Sequence, residues 1–261
     1  MAVATRPRLY VLPGSHPCAA VEAALKMKGI DYDRVDLLPM SQLLIGPLRY
    51  GGATVPGMRL GGERLVGSRA IMRRLDEMAP EPPLVPAPGD PGYAGVLEAE
   101  RWGDEVFQSV PRRLINAAFL RRASAMESYV GDAKLPLPRP LLRPAMPLTA
   151  RMMAIRNKAS DSAARADLAA LPAQLDRIDA WIAEGLLGGD PPNAADLQIG
   201  STIRLLMSIG DARALIEGPP ARPAARLADY FMPLAGEVPA GTLPAEWLPS
   251  PTSSTAETPA S

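Results

Sequence analysis

The sequence predicts an α/β domain over residues 1–80, followed by an all-helical domain over residues 93–235. Three observations support this prediction. Short apolar runs alternate with a helix-like pattern up to residue 80, a proline-rich stretch follows at 81–92, and the later pattern is helical. We interpret 81–92 as a linker, because so many prolines exclude a helix or a central strand. Residues 236–261 are predicted to be largely disordered from their composition.

The first segments predict a β-α-β unit. Residues 8–12, RLYVL, are short and β-prone, and a Pro-Gly turn follows them. Pro17 suits the first turn of a helix, for which Ser15 or His16 is the predicted N-cap. A second strand is predicted at 31–37. The two strands should therefore be parallel and joined by a right-handed crossover.

A hairpin and a helix are predicted next. The segments 58–60 and 63–66 are short, apolar and separated by a Gly-Gly pair, a pattern typical of a hairpin. A helix is predicted over 68–78, with Ser68 as its N-cap and an apolar face at helical spacing. These elements complete the predicted α/β domain.

The start of the helical domain contains a proline that should disturb it. Val106, Val110 and Leu114 recur every four residues, as on one face of a helix. Pro111 lies between them and predicts a kink or a break at that point. Further on, the proline-rich segment 131–149 predicts a long loop or a short helix interrupted by turns.

Two later helices have clear signals. Asn193 is the predicted cap of an apolar helix over 193–209, which should lie in the middle of a bundle. An amphipathic helix is predicted before it from one apolar stripe: Leu168, Leu171, Leu175, Ile178 and Ile182.

Composition excludes several classes of function. The formal net charge of the 261 residues is +0, so nucleic acid and anionic membranes are not expected partners. No apolar run is long enough to span a bilayer, and the N-terminus has no apolar core of signal-peptide length. We therefore predict a cytoplasmic protein. One cysteine and one histidine exclude an intrachain disulfide and the usual zinc-ligand sets, so no metal site is predicted.

Four motifs, in this order, resemble those of the glutathione S-transferase family. They are LYVLPGSHPCAAVEAALKMKGIDY, TVP at 54–56, GSRAI at 67–71, and NAADLQI, and the resemblance spans roughly residues 8–235. It implies a thioredoxin-like N-terminal domain, an all-helical C-terminal domain and a homodimer. It also implies a detoxifying transferase that conjugates a thiol to a small electrophile. Glutathione or a similar thiol would be a co-substrate, with no tightly bound cofactor.

The resemblance also implies roles for residues near the first helix. Ser15 stands where serine-type members of the family place the catalytic serine. A hydroxyl at a helix N-terminus could donate to the sulfur of a bound thiol and favour the thiolate. The residues implied in thiol binding are His16, Val55, Pro56 and Ser68, and the Val55–Pro56 peptide bond is predicted to be cis.

The sequence departs from the family pattern at the thiol-binding positions. Gly67 replaces an acidic residue that holds the α-amino group of glutathione, and Thr54 stands where several classes have lysine or glutamine. His16 stands where proline is common. The predicted thiol is therefore glutathione or another low-molecular-weight thiol.

The electrophile pocket is predicted on the first long helix of the second domain. Core packing for the aromatic side chains and a solvated face for the arginines is the structural alternative. The candidate residues are Trp102, Phe107, Arg112, Arg113 and Asn116.

Other hypotheses stay open from the sequence. Ser15 could act only as an N-cap. Cys18 lies on the apolar face of the first helix, which favours a buried, inert thiol. An exposed Cys18 would instead support a thiol oxidoreductase that reduces mixed disulfides. A non-catalytic interaction module with the transferase fold is the third hypothesis.

Overall fold

The N-terminal part of the protein is built on a four-stranded mixed sheet. The computed structural model describes residues 6–131 and 133–249. Strand order is β2-β1-β3-β4, with β1 parallel to β2 and antiparallel to β3, and β3 antiparallel to β4. This topology confirms the predicted β-α-β unit and hairpin. The strands are β1 (Arg8–Val11), β2 (Asp33–Asp36), β3 (Gly57–Leu60) and β4 (Glu63–Val66).

The two faces of the sheet are covered by different helices. Side chains alternate between the faces along a strand, so Leu9 and Val11 point one way and Tyr10 the other. Leu9 and Val11 belong to the core that the sheet shares with α1 and α3. Tyr10 packs against Tyr50 at the end of α2, with ring centroids 5.1 Å apart. These helices are α1 (His16–Met27), α2 (Gln42–Arg49) and α3 (Ser68–Met78).

The second half of the chain is helical, which confirms the predicted fold class. Helices α4, α5, α8, α9 and α10 contribute to one large apolar core. The predicted short helix within 131–149 is present as α6, and α7 begins there too. The helices are α4 (Tyr93–Trp102), α5 (Ser109–Arg121), α6 (Arg139–Leu142), α7 (Met146–Arg156), α8 (Asp161–Ala183), α9 (Ala194–Met207) and α10 (Gly210–Glu217).

The irregularity in the first long helix does not lie at Pro111, as predicted, but one turn earlier. A π-helical segment, Gly103–Phe107, separates α4 from α5. Because a π-helical turn is wider than an α-helical turn, it changes the direction of side chains within and after it. Val106, within the turn, is 45% exposed, whereas Val110, after it, is buried. Pro111 is the third residue of α5. The first N–H groups of a helix have no partner within it, so a proline, which has no N–H, costs little stability at this position.

Asn193 caps α9, as predicted. Its side-chain oxygen accepts hydrogen bonds from the backbone N–H groups of Ala195 and Asp196, and Asp196 in turn accepts from the N–H of Asn193. This reciprocal capping box fixes the start of the central helix. The predicted stripe on α8 is also confirmed, with four members buried and Ile182 partly buried at its edge.

The prediction of disorder from residue 236 is wrong for residues 236–249. Val238 exchanges backbone hydrogen bonds with the end of α9, and the Asp211 carboxylate accepts backbone N–H groups of residues 241–243. Val238, Leu243 and Trp247 are buried in the helical core. A few anchoring apolar side chains thus outweigh a polar, proline-rich composition. Residues 250–261 lie outside the described residues.

The predicted linker segment, 81–92, packs against both halves. Leu84 is fully buried, and its carbonyl accepts a hydrogen bond from the N–H of Ala194 over 2.7 Å. The Lys28 ammonium donates to the carbonyls of Ala79 and Pro82. Contacts from both sides therefore hold this segment, and the domain boundaries stay a prediction.

Across the described residues, 6–131 and 133–249, no helix combines the length and apolarity needed to cross a bilayer.

Candidate functional site

A cavity of about 220 Å³ lies between the α1 end of the sheet and helices α5 and α7. The turn after β1, the start of α1 and residues 54 and 55 form one wall. Helices α5 and α7 form the other wall. The first two family-like motifs therefore meet the helical part of the protein at this cavity.

Ser15 lies at the edge of the cavity and is the N-cap of α1, as predicted. Its backbone carbonyl accepts from the N–H of Ala19 over 3.0 Å, but its side chain makes no capping hydrogen bond. The residue is half-buried and lines the cavity. Its hydroxyl therefore lies beside the positive end of α1 and makes no bond to the backbone of that helix, although it is within hydrogen-bond reach of the Cys18 thiol.

Cys18 is one helical turn further and does not line the cavity. The residue is 1% exposed. Burial raises the pKa of its thiol to about 12, and a hydrogen bond with Ser15 offsets only part of that rise. The thiol is therefore protonated near neutral pH and poorly accessible, which argues against the oxidoreductase hypothesis.

The segment before β3 lines the cavity and has backbone groups without a partner among the described residues. Thr54 and Val55 line it, and within residues 6–131 and 133–249 no backbone partner is found for the N–H or C=O of Val55. The Val55–Pro56 bond is cis, which confirms the prediction. Pro56 itself is buried outside the lining, and its carbonyl accepts from the N–H of Gly67 over 2.9 Å.

Ser68 differs from both of its predicted roles. The N-cap of α3 is Gly67, and Ser68 is the first residue of the helix. Its side chain is buried outside the cavity lining, and its hydroxyl donates to Gln198 Oε1 over 2.9 Å. Gly67 has φ +90, a region that favours glycine, so an acidic residue at this position would strain the backbone.

His16 is the first residue of α1 and lines the cavity. The side chain is 5% exposed. Burial, and then the neighbouring Arg112 charge, hold the pKa of His16 well below its usual value, although a hydrogen bond with Gln108 works in the opposite direction. His16 is therefore a neutral imidazole, and its Nε2 has no hydrogen-bond partner among the described residues.

Only two of the five predicted electrophile-pocket residues line the cavity. Arg112 and Asn116 do so, on the inner face of α5. The prediction is wrong for the other three. Trp102 and Phe107 stack in the helical core with centroids 5.1 Å apart. Arg113 points to α8, where it forms two N···O contacts of 2.5 Å with Asp167. The π-helical turn sets the rotation of α5, and this rotation determines which α5 side chains face the cavity.

Other lining residues had no signal in the family-like motifs. The segment after α5 supplies Met126 and Tyr129, and α7 supplies Met153 and Arg156. Tyr129 is held in place by a 2.7 Å hydrogen bond between its hydroxyl and Ser208 Oγ. These lining residues reach the cavity through tertiary packing alone.

Comparisons with known proteins agree with this architecture. Residues 9–83 match the family model of the glutathione S-transferase N-terminal domain. Glutathione transferase F7 from Populus trichocarpa is 17% identical, with a TM-score of 0.57 over 87% of this chain and 99% of that one. A glutathione S-transferase from Rhodospirillum rubrum is 22% identical, with a TM-score of 0.53 over 91% and 98%.

A third similar structure contains a ligand. Maleylacetoacetate isomerase from Anaeromyxobacter dehalogenans, with bound dicarboxyethyl glutathione and citrate, is 22% identical. Its TM-score is 0.50 over 88% of this chain and 86% of that one. No curated protein sequence matches this chain.

The fold and the cavity define a protein with a thioredoxin-like domain joined to a helical domain, and with a cavity where the two halves meet. Residues 9–83 match the glutathione S-transferase N-terminal domain, and the chain has the glutathione S-transferase fold. The resemblance inferred from the four sequence motifs is thereby confirmed.

Proposed function

We propose that the protein transfers glutathione, or a similar low-molecular-weight thiol, to a small electrophile, with Ser15 as the catalytic residue. The observation that carries this proposal is the Ser15 hydroxyl, which borders the cavity at the N-terminus of α1 and does not cap the helix. The similar isomerase with a bound glutathione adduct supports the choice of thiol.

Ser15 would act on the sulfur. Its hydroxyl donates a hydrogen bond to the thiol of the bound co-substrate, and the bond strengthens when the sulfur becomes a thiolate. The positive end of the α1 dipole stabilises the same charge. Both effects lower the pKa of the bound thiol, so more of it is the nucleophilic thiolate near neutral pH.

Val55 would hold the peptide part of the thiol. An extended tripeptide can pair with the free N–H and C=O of Val55, as an added strand pairs with a sheet edge. The buried, neutral His16 can contribute a hydrogen bond at the start of α1. Ser68 is already bonded to Gln198 and Gly67 has no side chain, so α3 contributes less than in the family pattern. The site would thus favour a thiol with a peptide-like backbone and make few contacts with a γ-glutamyl group.

A second copy of the chain is the proposed partner, as the resemblance implies. Leu44 and Leu48 are 78% and 75% exposed and lie one turn apart on α2, so they form an apolar surface that a second copy would cover. Light scattering at micromolar concentration should give the mass of a dimer, and a monomer mass would refute this part of the proposal.

Conjugation of 1-chloro-2,4-dinitrobenzene tests the transferase activity directly. The wild-type protein should turn over this electrophile with glutathione or with another small thiol, and Ser15→Ala should lower kcat/KM about tenfold to a hundredfold. Ser160→Ala is a matched control, because Ser160 caps α8 through a bond from the N–H of Ala163 and lies outside the cavity lining.

The control should lower stability by about 1 kcal/mol and leave activity per folded molecule unchanged. If Ser15→Ala, like Ser160→Ala, leaves activity per folded molecule unchanged, the Ser15 hydroxyl is not catalytic. If the wild-type protein neither binds nor conjugates any small thiol, the non-catalytic module replaces the transferase proposal.

A further inference from the structure

The helical wall of the cavity has two arginines but no carboxylate directly paired with either. Arg112 Nη2 donates to Gln108 Oε1 over 2.7 Å, and Arg156 Nη2 donates to the carbonyl of Ala53 over 3.0 Å. Within residues 6–131 and 133–249, neither guanidinium has a carboxylate oxygen within 4.0 Å. Arg113, the neighbour of Arg112, differs because it is paired with Asp167.

The charge of Arg112 is not neutralised inside the cavity. The carboxylate that favours its charged form most is Asp104, which reaches it only through Gln108. Asp104 also lies 3.9 Å from Arg69, so it is shared between two cations. Burial lowers the pKa of Arg112, which indicates that its guanidinium has lost part of its hydration.

Three buried polar atoms around the same cavity have no hydrogen-bond partner within the described part of the chain. They are His16 Nε2, Gln42 Oε1 and Asn116 Oδ1, on side chains that are 5%, 6% and 1% exposed. Leaving a buried polar atom unpaired is unfavourable, so a polar ligand that supplies the missing partner gains affinity. His16 and Asn116 both lie beside Arg112. Besides burial, the positive charge of Arg112 helps to lower the pKa of His16, and the backbone carbonyl of Arg112 accepts a hydrogen bond from Asn116 Nδ2.

The rest of the helical wall is mostly apolar, and its other polar members are Tyr129 and Asn157. A carboxylate alone would leave these side chains uncovered, whereas a flat or branched apolar body would fill the space between them. The apolar lining on this side consists of Ile115, Phe119, Met126, Val130, Leu135, Met153 and Leu205.

We infer that the electrophile used by this site is an organic carboxylate with an apolar body, and that Arg112 binds its carboxylate. Arg156 adds positive charge, and Asn116 and His16 are within the same polar cluster. A guanidinium binds a carboxylate with two parallel hydrogen bonds, which orients the electrophilic carbon as well as holding the ligand. The role of the carboxylate as an electrophile rests on the proposed transferase function, whereas the binding of a carboxylate by Arg112 does not depend on it.

The reaction with an aryl chloride of this class balances without a further reactant. The thiolate sulfur forms a bond to the ring carbon that carries chlorine, and the carbon–chlorine bond breaks. Chloride leaves with the bonding electron pair, and the thiol proton goes to water. No group is oxidised or reduced.

A matched pair of electrophiles tests the inference. 4-Chloro-3,5-dinitrobenzoate and its carboxamide have the same leaving group and nearly the same shape, but only the first is charged. In the wild-type protein kcat/KM should be higher for the benzoate, after correction for the uncatalysed rates. Arg112→Gln should lower the benzoate-to-amide ratio about tenfold to a hundredfold, and Arg112→Lys should lower it less.

Arg151→Gln is the control variant. It removes the same charge from an exposed position on α7 outside the cavity lining, so the ratio should stay as in the wild type. An equal fall of the benzoate-to-amide ratio in Arg112→Gln and Arg151→Gln would show a general charge effect and overturn the inference. An unchanged ratio in folded Arg112→Gln and Arg112→Lys would also overturn it.

The carboxylate could instead come from the thiol. In that case Arg112→Gln would raise KM for glutathione and leave the benzoate-to-amide ratio unchanged, which overturns the assignment to the electrophile. Calorimetry with 3,5-dinitrobenzoate, which has no leaving group, separates the two proposals. Binding that Arg112→Gln weakens tenfold or more supports the carboxylate site even if no thiol is ever conjugated. Conjugation without such binding supports the transferase and refutes the carboxylate site.

Discussion

The hydroxyl of Ser68 donates a hydrogen bond to Oε1 of Gln198 over 2.9 Å, and 130 positions separate the two residues in the chain. Ser68 begins α3 in the N-terminal half, and Gln198 lies in α9 in the helical half. Both side chains are buried. The bond therefore links the two halves of the protein, and it occupies a hydroxyl that the family resemblance assigns to thiol binding.

Ser68→Ala should act on stability and not on thiol binding. The substitution removes the donor and leaves Gln198 Oε1 buried and unpaired, which should lower the free energy of unfolding by about 1–3 kcal/mol. Urea denaturation measures this loss. KM for the thiol should stay at the wild-type value, and a marked rise in KM would restore Ser68 to the thiol site.

Arg113 should be a structural residue. Its guanidinium forms two 2.5 Å contacts with Asp167, whose side chain is only 10% exposed. Arg113→Met leaves that carboxylate unpaired and should lower stability by about 2 kcal/mol. The double variant Arg113→Met/Asp167→Leu should recover much of the loss, because it removes both charges together.

Conjugation kinetics provide the second readout for Arg113. Per folded molecule, kcat/KM should be the same in Arg113→Met as in the wild type. A fall that is specific to charged electrophiles would show that Arg113, and not only Arg112, faces the cavity in solution.

Cys18 should make stability fall at high pH. Burial raises the pKa of its thiol from the ordinary 9.0 to about 12. Between these values the unfolded chain loses this proton while the folded chain keeps it, so ionisation favours the unfolded state as the pH rises. The stabilising contribution is complete below pH 9.0 and is lost progressively up to about pH 12.

Thermal denaturation of Cys18→Ala tests this linkage. The variant should show a shallower decline in Tm between pH 9.0 and 10.5 than the wild type. The folded wild type should also react slowly with iodoacetamide at neutral pH, and should react at the rate of a free thiol once unfolded. Rapid alkylation of the folded protein would revive the oxidoreductase hypothesis.

The sequence predicts local features well and the walls of the cavity poorly. The cap at Asn193, the start of α1 at Ser15 and the hairpin depend on signals within a few residues, and the structure has all three. The rotation of α5 depends on the π-helical turn, which no residue pattern indicates, and it decides that Arg112 faces the cavity while Arg113 faces α8. Ser68 has the sequence of a helix cap, but its actual partner comes from 130 positions away.

The pKa of the bound thiol tests the central claim most directly. Ultraviolet difference spectra measure the thiolate of protein-bound glutathione as a function of pH, in the wild type and in Ser15→Ala. The hydrogen bond from Ser15 to the charged sulfur should be worth about 1.5–3 kcal/mol, so the pKa of the bound thiol should be about one to two units lower in the wild type than in the variant. Equal pKa values in the two folded proteins, each saturated with glutathione, would contradict the assignment of Ser15 as the residue that activates the thiol.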